Sequence, residues 1–176
     1  ESELRMELAE STAGIGLWQW NLATDEIGLS AAAEHVLGCK PGEALSRDLF
    51  RGRIAATDLD GLRVAVAMAR QGDGHFSAEF KLADVSGGRR WIAARGQTTF
   101  DHERKPLQIR GVVIDVTDKH HADEQFRVMF AGAPVAMLMV AADGRIVLAN
   151  PRAVSVFGYS IDALQGMRIE ELIPAG

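Results

Sequence analysis

Cys39 is the only cysteine in the chain, and the five histidines include one adjacent pair, His120-His121, followed by Ala122, Asp123 and Glu124. A lone thiol cannot close an internal disulfide, which fits a reducing, cytoplasmic setting. Nucleophilic or redox work would require surroundings that favour the thiolate. Cys39 instead follows an apolar helical stretch in a loop, and reads as structural. The His-His-Ala-Asp-Glu cluster has metal-ligating residue types, but neighbours on a helix point about 100° apart, which works against shared coordination. His121 as a phosphoacceptor would need Glu, Leu, Arg, Thr and Pro around it in a bundle-forming helix, and nothing similar follows. There is no Gly-rich phosphate loop, no Gly-x-Ser-x-Gly and no Gly-Gly-Asp-Glu-Phe. Asp84-Val85-Ser86-Gly87-Gly88 reads as a hairpin loop. The expectation is a segment with no catalytic residues and no metal site.

The elements that would position these side chains follow from periodicity. Leu4, Met6 and Leu8 among charged residues predict an amphipathic helix over about residues 2–12. Ala13-Gly14-Ile15-Gly16 breaks that pattern, and Leu17 to Leu22 then alternates in period 2, placing Trp18 and Trp20 on one strand face. Ala23-Thr24-Asp25-Glu26 is turn chemistry before a short strand, Ile27-Gly28-Leu29. Ser30 can cap a helix from Ala31 to Leu37 that Gly38 ends. Pro41 predicts a further helical turn. Asp58 leads into a longer helix with Leu62, Val66 and Ala69 on one face and Arg63 and Arg70 flanking, stopped at Gln71-Gly72-Asp73-Gly74. Three period-2 blocks follow, His75 to Ala83, Arg90 to Phe100 and Leu107 to Val116, and then helical character over 117–132. This order predicts an α+β domain with one five-stranded antiparallel sheet.

The opening of the chain is then laid down again at an offset of about 120 residues. Ile27-Gly28-Leu29 corresponds to Ile146-Val147-Leu148, Val36-Leu37-Gly38-Cys39 to Val156-Phe157-Gly158-Tyr159, and Glu43-Ala44-Leu45 to Asp162-Ala163-Leu164. The second copy supplies two strands of a sheet that needs five. The predicted organisation is an N-terminal helix (1–12), a complete domain (13–118), a linker helix (119–132) and the front half of a second domain (133–176).

Composition sets the outer limits. With 176 residues and a hydrophobic share of 47%, the chain can bury a core. A net charge of −5 with scattered cations gives no basic stripe for phosphates, so nucleic acid is not an expected partner. No uncharged apolar run reaches the ~18 residues that span a bilayer, and the first ten residues do not form a secretory signal. Both ends read as cut from a longer polypeptide, whose other parts could be membrane-anchored.

Three stretches resemble the PAS family of sensory domains. Gly16-Leu17-Trp18-Gln19-Trp20-Asn21-Leu22 is similar to a first strand carrying a Trp-x-Trp pair, and Ala78 to Leu82 with Arg90-Trp91-Ile92 to the central strands. Gly111 to Asp118 resembles the closing strand with its Asp-x-Thr ending, here Asp115 and Thr117. In the second copy, Asp143 to Asn150 with Phe157-Gly158-Tyr159-Ser160 looks like a more typical opening. The resemblance implies a cup-shaped sheet with helices over one face, a pocket between them, and a signalling protein in which such domains dimerise and precede an output module. A sensor histidine kinase is the leading expectation for that parent, with a cyclic-dinucleotide enzyme as the alternative. Asp115 and Thr117 would form the relay junction between sheet and exit helix, and the helices over 2–12 and 117–132 would carry a homodimer contact. Independently of the family, Thr117 or Asp118 can cap the helix that starts there, with Asp115 bonding its first amides.

The expected pocket lining is Trp18, Trp20, Val66, Phe80, Trp91 and Ile114. Four aromatics can plug a small cup, so a filled core is the first expectation, and the cofactor is left unassigned. Were a ligand bound, an apolar compound or a flavin would be favoured over an anion, because Lys81, Arg90 and Arg95 have no evident place inside. The flavin-adduct members carry their cysteine in an Asn-Cys-Arg-Phe-Leu-Gln stretch that this sequence lacks. Haem-binding members use a histidine in the long helix, and residues 57–70 hold none, leaving His35 and His75 as weak candidates.

Overall fold

The computed structural model describes residues 14–43, 45–83 and 88–172. The predicted helix over 2–12 and most of the Asp84–Gly88 loop lie outside the described residues. The chain divides into two compact units between Asp118 and Lys119.

In the first unit the elements run β1 (Ile15–Asn21), β2 (Glu26–Leu29), α1 (Ala31–Leu37), β3 (Leu45–Ser46), α2 (Arg47–Arg53), a 3-10 turn (Ala56–Asp58), α3 (Leu59–Gln71), β4 (His75–Ala83), β5 (Arg89–Phe100) and β6 (Pro106–Asp115). All strands pair antiparallel, in the order β3-β2-β1-β6-β5-β4. The sheet thus has six strands where five were expected. The extra one is the two-residue β3, which pairs Leu45 with Ile27 and Ser46 with Glu26 and buries the Leu45 side chain. Ser46 then caps α2 through Leu49 N. The helix expected at Pro41 therefore starts only at Arg47, and a Pro41-Gly42 turn, with Gly42 at φ 72°, fills the gap.

β1 starts earlier than its alternation suggested, because Gly16 is a strand residue and not a break. A Cβ at Gly16 would overlap the Ala33 backbone, so glycine there lets α1 cross the strand in close contact. The boundaries of α1 follow its caps: Ser30 Oγ accepts from Ala33 N, and Gly38 closes the helix at φ 65°. Side chains alternate across β4, β5 and β6, so that Phe76, Phe80, Ile92, Ala94, Ile109 and Val113 face the helices and are buried. Burying each of the large ones contributes about 1.5–3 kcal/mol. Two polar ties fix α3 on this face. The buried Thr98 hydroxyl donates to Ala69 O at 2.8 Å, and Asp58 Oδ2 accepts from Lys81 N at 2.8 Å.

Helix α4 (Thr117–Gly132) follows β6 directly. The second unit continues with β7 (Leu138–Val140), β8 (Ile146–Ala149), α5 (Pro151–Phe157), α6 (Ile161–Leu164) and a 3-10 turn (Ile169–Leu172). β8, α5 and its closing Gly158 repeat β2, α1 and Gly38 at the offset read from the sequence, with Asn150 standing where Ser30 caps the first copy. Among the described residues β7 and β8 form a separate two-stranded sheet. Asn150 is fully buried at its root: Oδ1 accepts from Met137 N and Ala153 N, and Nδ2 donates to Phe130 O and Val135 O, all at 2.9–3.0 Å.

Candidate functional site

The inner face of the sheet and helices α1, α2 and α3 border a partly open cavity of about 530 Å3, within the range of small-molecule sites, roughly 300–1,000 Å3. The expected filled core is therefore corrected: the aromatics line a space and do not plug it. Trp18 and Trp20 reach it from β1, Phe76 and Phe80 from β4, Phe50 from α2, and Val66 from α3. Edge-to-face contacts hold four of these rings in two pairs, Trp18 on Phe76 at 5.4 Å and Phe50 on Phe80 at 5.7 Å between centroids. Trp20 Nε1 donates to Asp25 Oδ1 at 2.9 Å, which fixes its indole from the hairpin side. The Trp18 indole N–H is the one buried side-chain polar atom without a hydrogen-bond partner among the described residues.

Trp18, Trp20, Val66 and Phe80 thus meet at one site, whereas the expected Trp91 and Ile114 do not line it. Strand parity decides this. Ile92 and Ala94 of β5 point inward, so Trp91 points the other way, where Lys81 Nζ sits 4.5 Å from its ring. In β6, Ile109 and Val113 point inward and Ile114, pairing with Ile15 and Ala93, lies on the outer face. Lys81, Arg90 and Arg95 also stay outside the cavity.

A different set of cations borders it. Arg47 and Arg51 of α2 and Arg63 and Arg70 of α3 are part of the lining, with Gln71, and no carboxylate is among the lining residues described. Arg47 Nε pairs with Asp25 at 3.5 Å and Arg63 with Asp60 at 3.3 Å. Sequence reasoning placed Arg63 and Arg70 only as flanks of a helix face; their seven-residue spacing, astride Val66, was the signal that they share an edge of the site. No histidine or cysteine lines the cavity, so no side chain there offers the His or Cys ligation usual for haem.

Cys39 packs beside the core, half-buried, under Arg53, whose Nη1 donates to Sγ at 3.2 Å while Nη2 bonds Glu43 at 2.8 Å. Burial pushes the thiol up from its ordinary range, against the pull of the Arg53 guanidinium. His120 and His121 sit on α4, and among the described residues no group of three or more His, Cys, Asp or Glu is placed to hold a metal ion.

At the far end of β6 the sheet joins the exit helix through two bonds. Asp115 Oδ1 accepts from Thr117 N at 2.9 Å, as expected for the first amides of α4. The Thr117 hydroxyl, expected to cap its own helix, instead accepts from Trp91 N in β5 at 2.9 Å. That bond, together with Val116 N to Trp91 O at 2.8 Å, ties the helix start to the neighbouring strand. The exposed face of α4 carries Phe126 and Met129, 40% and 68% exposed, with the Phe126 and Phe130 rings stacked.

A curled antiparallel sheet, a helical cover over an apolar cavity, and a helix leaving from the last strand together define a sensory domain class. The chain belongs to the PAS family: the PAS fold pattern matches residues 26–113 and the PAS domain pattern residues 124–175. It is 25% identical over 168 residues to sensor protein FixL of Bradyrhizobium diazoefficiens, covering 92% of this chain and 33% of that protein. It is 29% identical over 171 residues to the non-motile and phage-resistance protein of Caulobacter vibrioides, covering 89% of this chain and 20% of that protein. The chain therefore spans a third or less of these relatives. Among solved structures, a sensory box histidine kinase/response regulator from Burkholderia thailandensis superimposes with a TM-score of 0.61 at 28% identity, over 70% of this chain and 93% of that one. No described helix is long and apolar enough to cross a membrane.

Proposed function

We propose that the first PAS domain is a ligand-responsive input module of a sensor histidine kinase, and that cavity occupancy is passed through the last strand into α4. The observation that carries this reading is the apolar cavity itself. A ligand that seats its apolar body against these side chains would bury their surface and stabilise the folded domain by mass action. The kinase assignment draws on the names of the similar proteins, a sensor protein and a sensory box histidine kinase. β6 contributes Ile109 and Val113 to the cavity wall and ends at Asp115, so a shift of the wall is transmitted along one strand to the helix start.

Binding is read by intrinsic fluorescence, since Trp18 and Trp20 touch the cavity and Trp91 does not. Native mass spectrometry of the purified chain and an absorbance scan of its extract should reveal a co-purifying small molecule, or apolar probes should quench the indole emission saturably. A chain that purifies without any ligand and binds no apolar probe would defeat the reading.

We further propose that α4 carries a homodimer contact, supported by the exposed Phe126 and Met129 on a helix with no buried residue. The output domain would follow in cis, and neither nucleic acid nor the bilayer is a direct partner.

A further inference from the structure

The arginines around the cavity point to the chemistry of its occupant. Arg47 and Arg51 are one helical turn apart on α2, and Arg63 and Arg70 two turns apart on α3, so each pair lies along one helix edge at the site. On a chain of net charge −5, four arginines and no carboxylate are among the described lining residues; their aliphatic stems lie along the apolar wall and their charged heads are at its solvent-facing border. Two of the four already have an exposed ion-pair partner, Arg47 with Asp25 and Arg63 with Asp60. Arg51 and Arg70 have no ion pair among the described residues. Behind them the lining is almost wholly apolar, with Trp18, Phe76, Phe80 and Ile109 at its heart.

We propose that this cavity binds an anionic amphiphile: an apolar body buried among the aromatics and one acidic head group, a carboxylate being the simplest, held at the border by Arg51 and Arg70. The proposal rests on reading the cavity as a ligand site and adds the class of ligand. Guanidinium forks match a carboxylate bidentately, and the charge-assisted hydrogen bonds that result are the strong ones. The apolar body supplies affinity through buried area, while the head group supplies selection. An uncharged compound of the same body would leave both forks to water, and a cation would face like charge.

The test compares decanoate, decanol and decylammonium, each below its micelle concentration, titrated into the full chain with indole fluorescence and calorimetry as readouts. Decanoate should bind roughly tenfold or more tighter than decanol, the size of one charge-assisted hydrogen bond, and decylammonium weakest. In the double variant Arg51→Gln, Arg70→Gln the preference for decanoate over decanol should vanish while decanol binds as before, which also shows that the variant is folded. Raising the salt should weaken decanoate and leave decanol unchanged. Equal affinity for acid and alcohol, or a preference that survives the double variant, overturns the anionic head group and leaves the cavity a ligand site. Binding of none of the three overturns the ligand site as well.

Discussion

At the scale of single residues, glycine and cysteine make opposite demands. Gly16 has no room for even one added carbon, because its inner side is occupied by the Ala33 backbone. Gly16→Ala should lower stability by about 1–3 kcal/mol, the cost of overpacking, measured as a shift of the urea midpoint with unchanged m-value. Cys39, by contrast, is half-buried, and desolvation disfavours its thiolate. With its thiol held above the ordinary range, it stays protonated at neutral pH, so iodoacetamide should modify it more slowly than a free thiol at pH 7. The rate should climb only toward alkaline pH; rapid neutral-pH labelling would contradict this. Trp18 and Trp20 were legible as an inward pair because period-2 alternation within one strand is a local property. Trp91 was not, because which parity of β5 faces the cup is set by its partners. Size was the wrong guide there: the β5 residue that lines the cavity is the small Ala94, beside the inward Ile92, while the Trp91 ring lies on the other face.

At the scale of elements, the joint between β6 and α4 depends on one hydroxyl. Thr117→Val keeps the shape and removes the acceptor for Trp91 N, at an expected cost of about 1 kcal/mol. Faster amide exchange confined to Trp91 and the first turn of α4 would identify the loss as local. If the relay reading holds, a sensor kinase carrying this variant should respond less to ligand while binding it with unchanged affinity. The Asp-x-Thr spelling made the junction visible in sequence, but the hydroxyl's partner lies 26 positions away, beyond any local rule. Asn150 has a similar history. The repeat places it opposite the helix cap Ser30, yet its ties to Phe130, Val135 and Met137 come from folding the chain back on itself. Asn150→Ala should leave buried backbone groups unpaired and destabilise the second unit by roughly 2–4 kcal/mol, read from thermal unfolding. The two-residue β3 was missed for a plainer reason: so short a strand has no periodicity to detect.

At the scale of the whole molecule, the exposed apolar side chains of α4 bear on assembly. Replacing Phe126 and Met129 together by Glu should convert a dimer to a monomer in light scattering without disturbing the first domain's unfolding midpoint, since neither side chain is buried. A monomeric unsubstituted chain at high concentration would remove that contact. The sheet makes a smaller offer. At one margin β3 is only two residues long, and at the other Ala55 N bonds Lys81 O while Asp58 takes Lys81 N and Ile54 bridges Leu82. The rest of β4 turns His75, Ser77 and Glu79 to solvent. Strand addition from a second molecule is therefore confined at this margin to the stretch 75–80, where the outward His75 and Glu79 are polar. Any growth of one sheet onto the next would have to start on that short, polar edge.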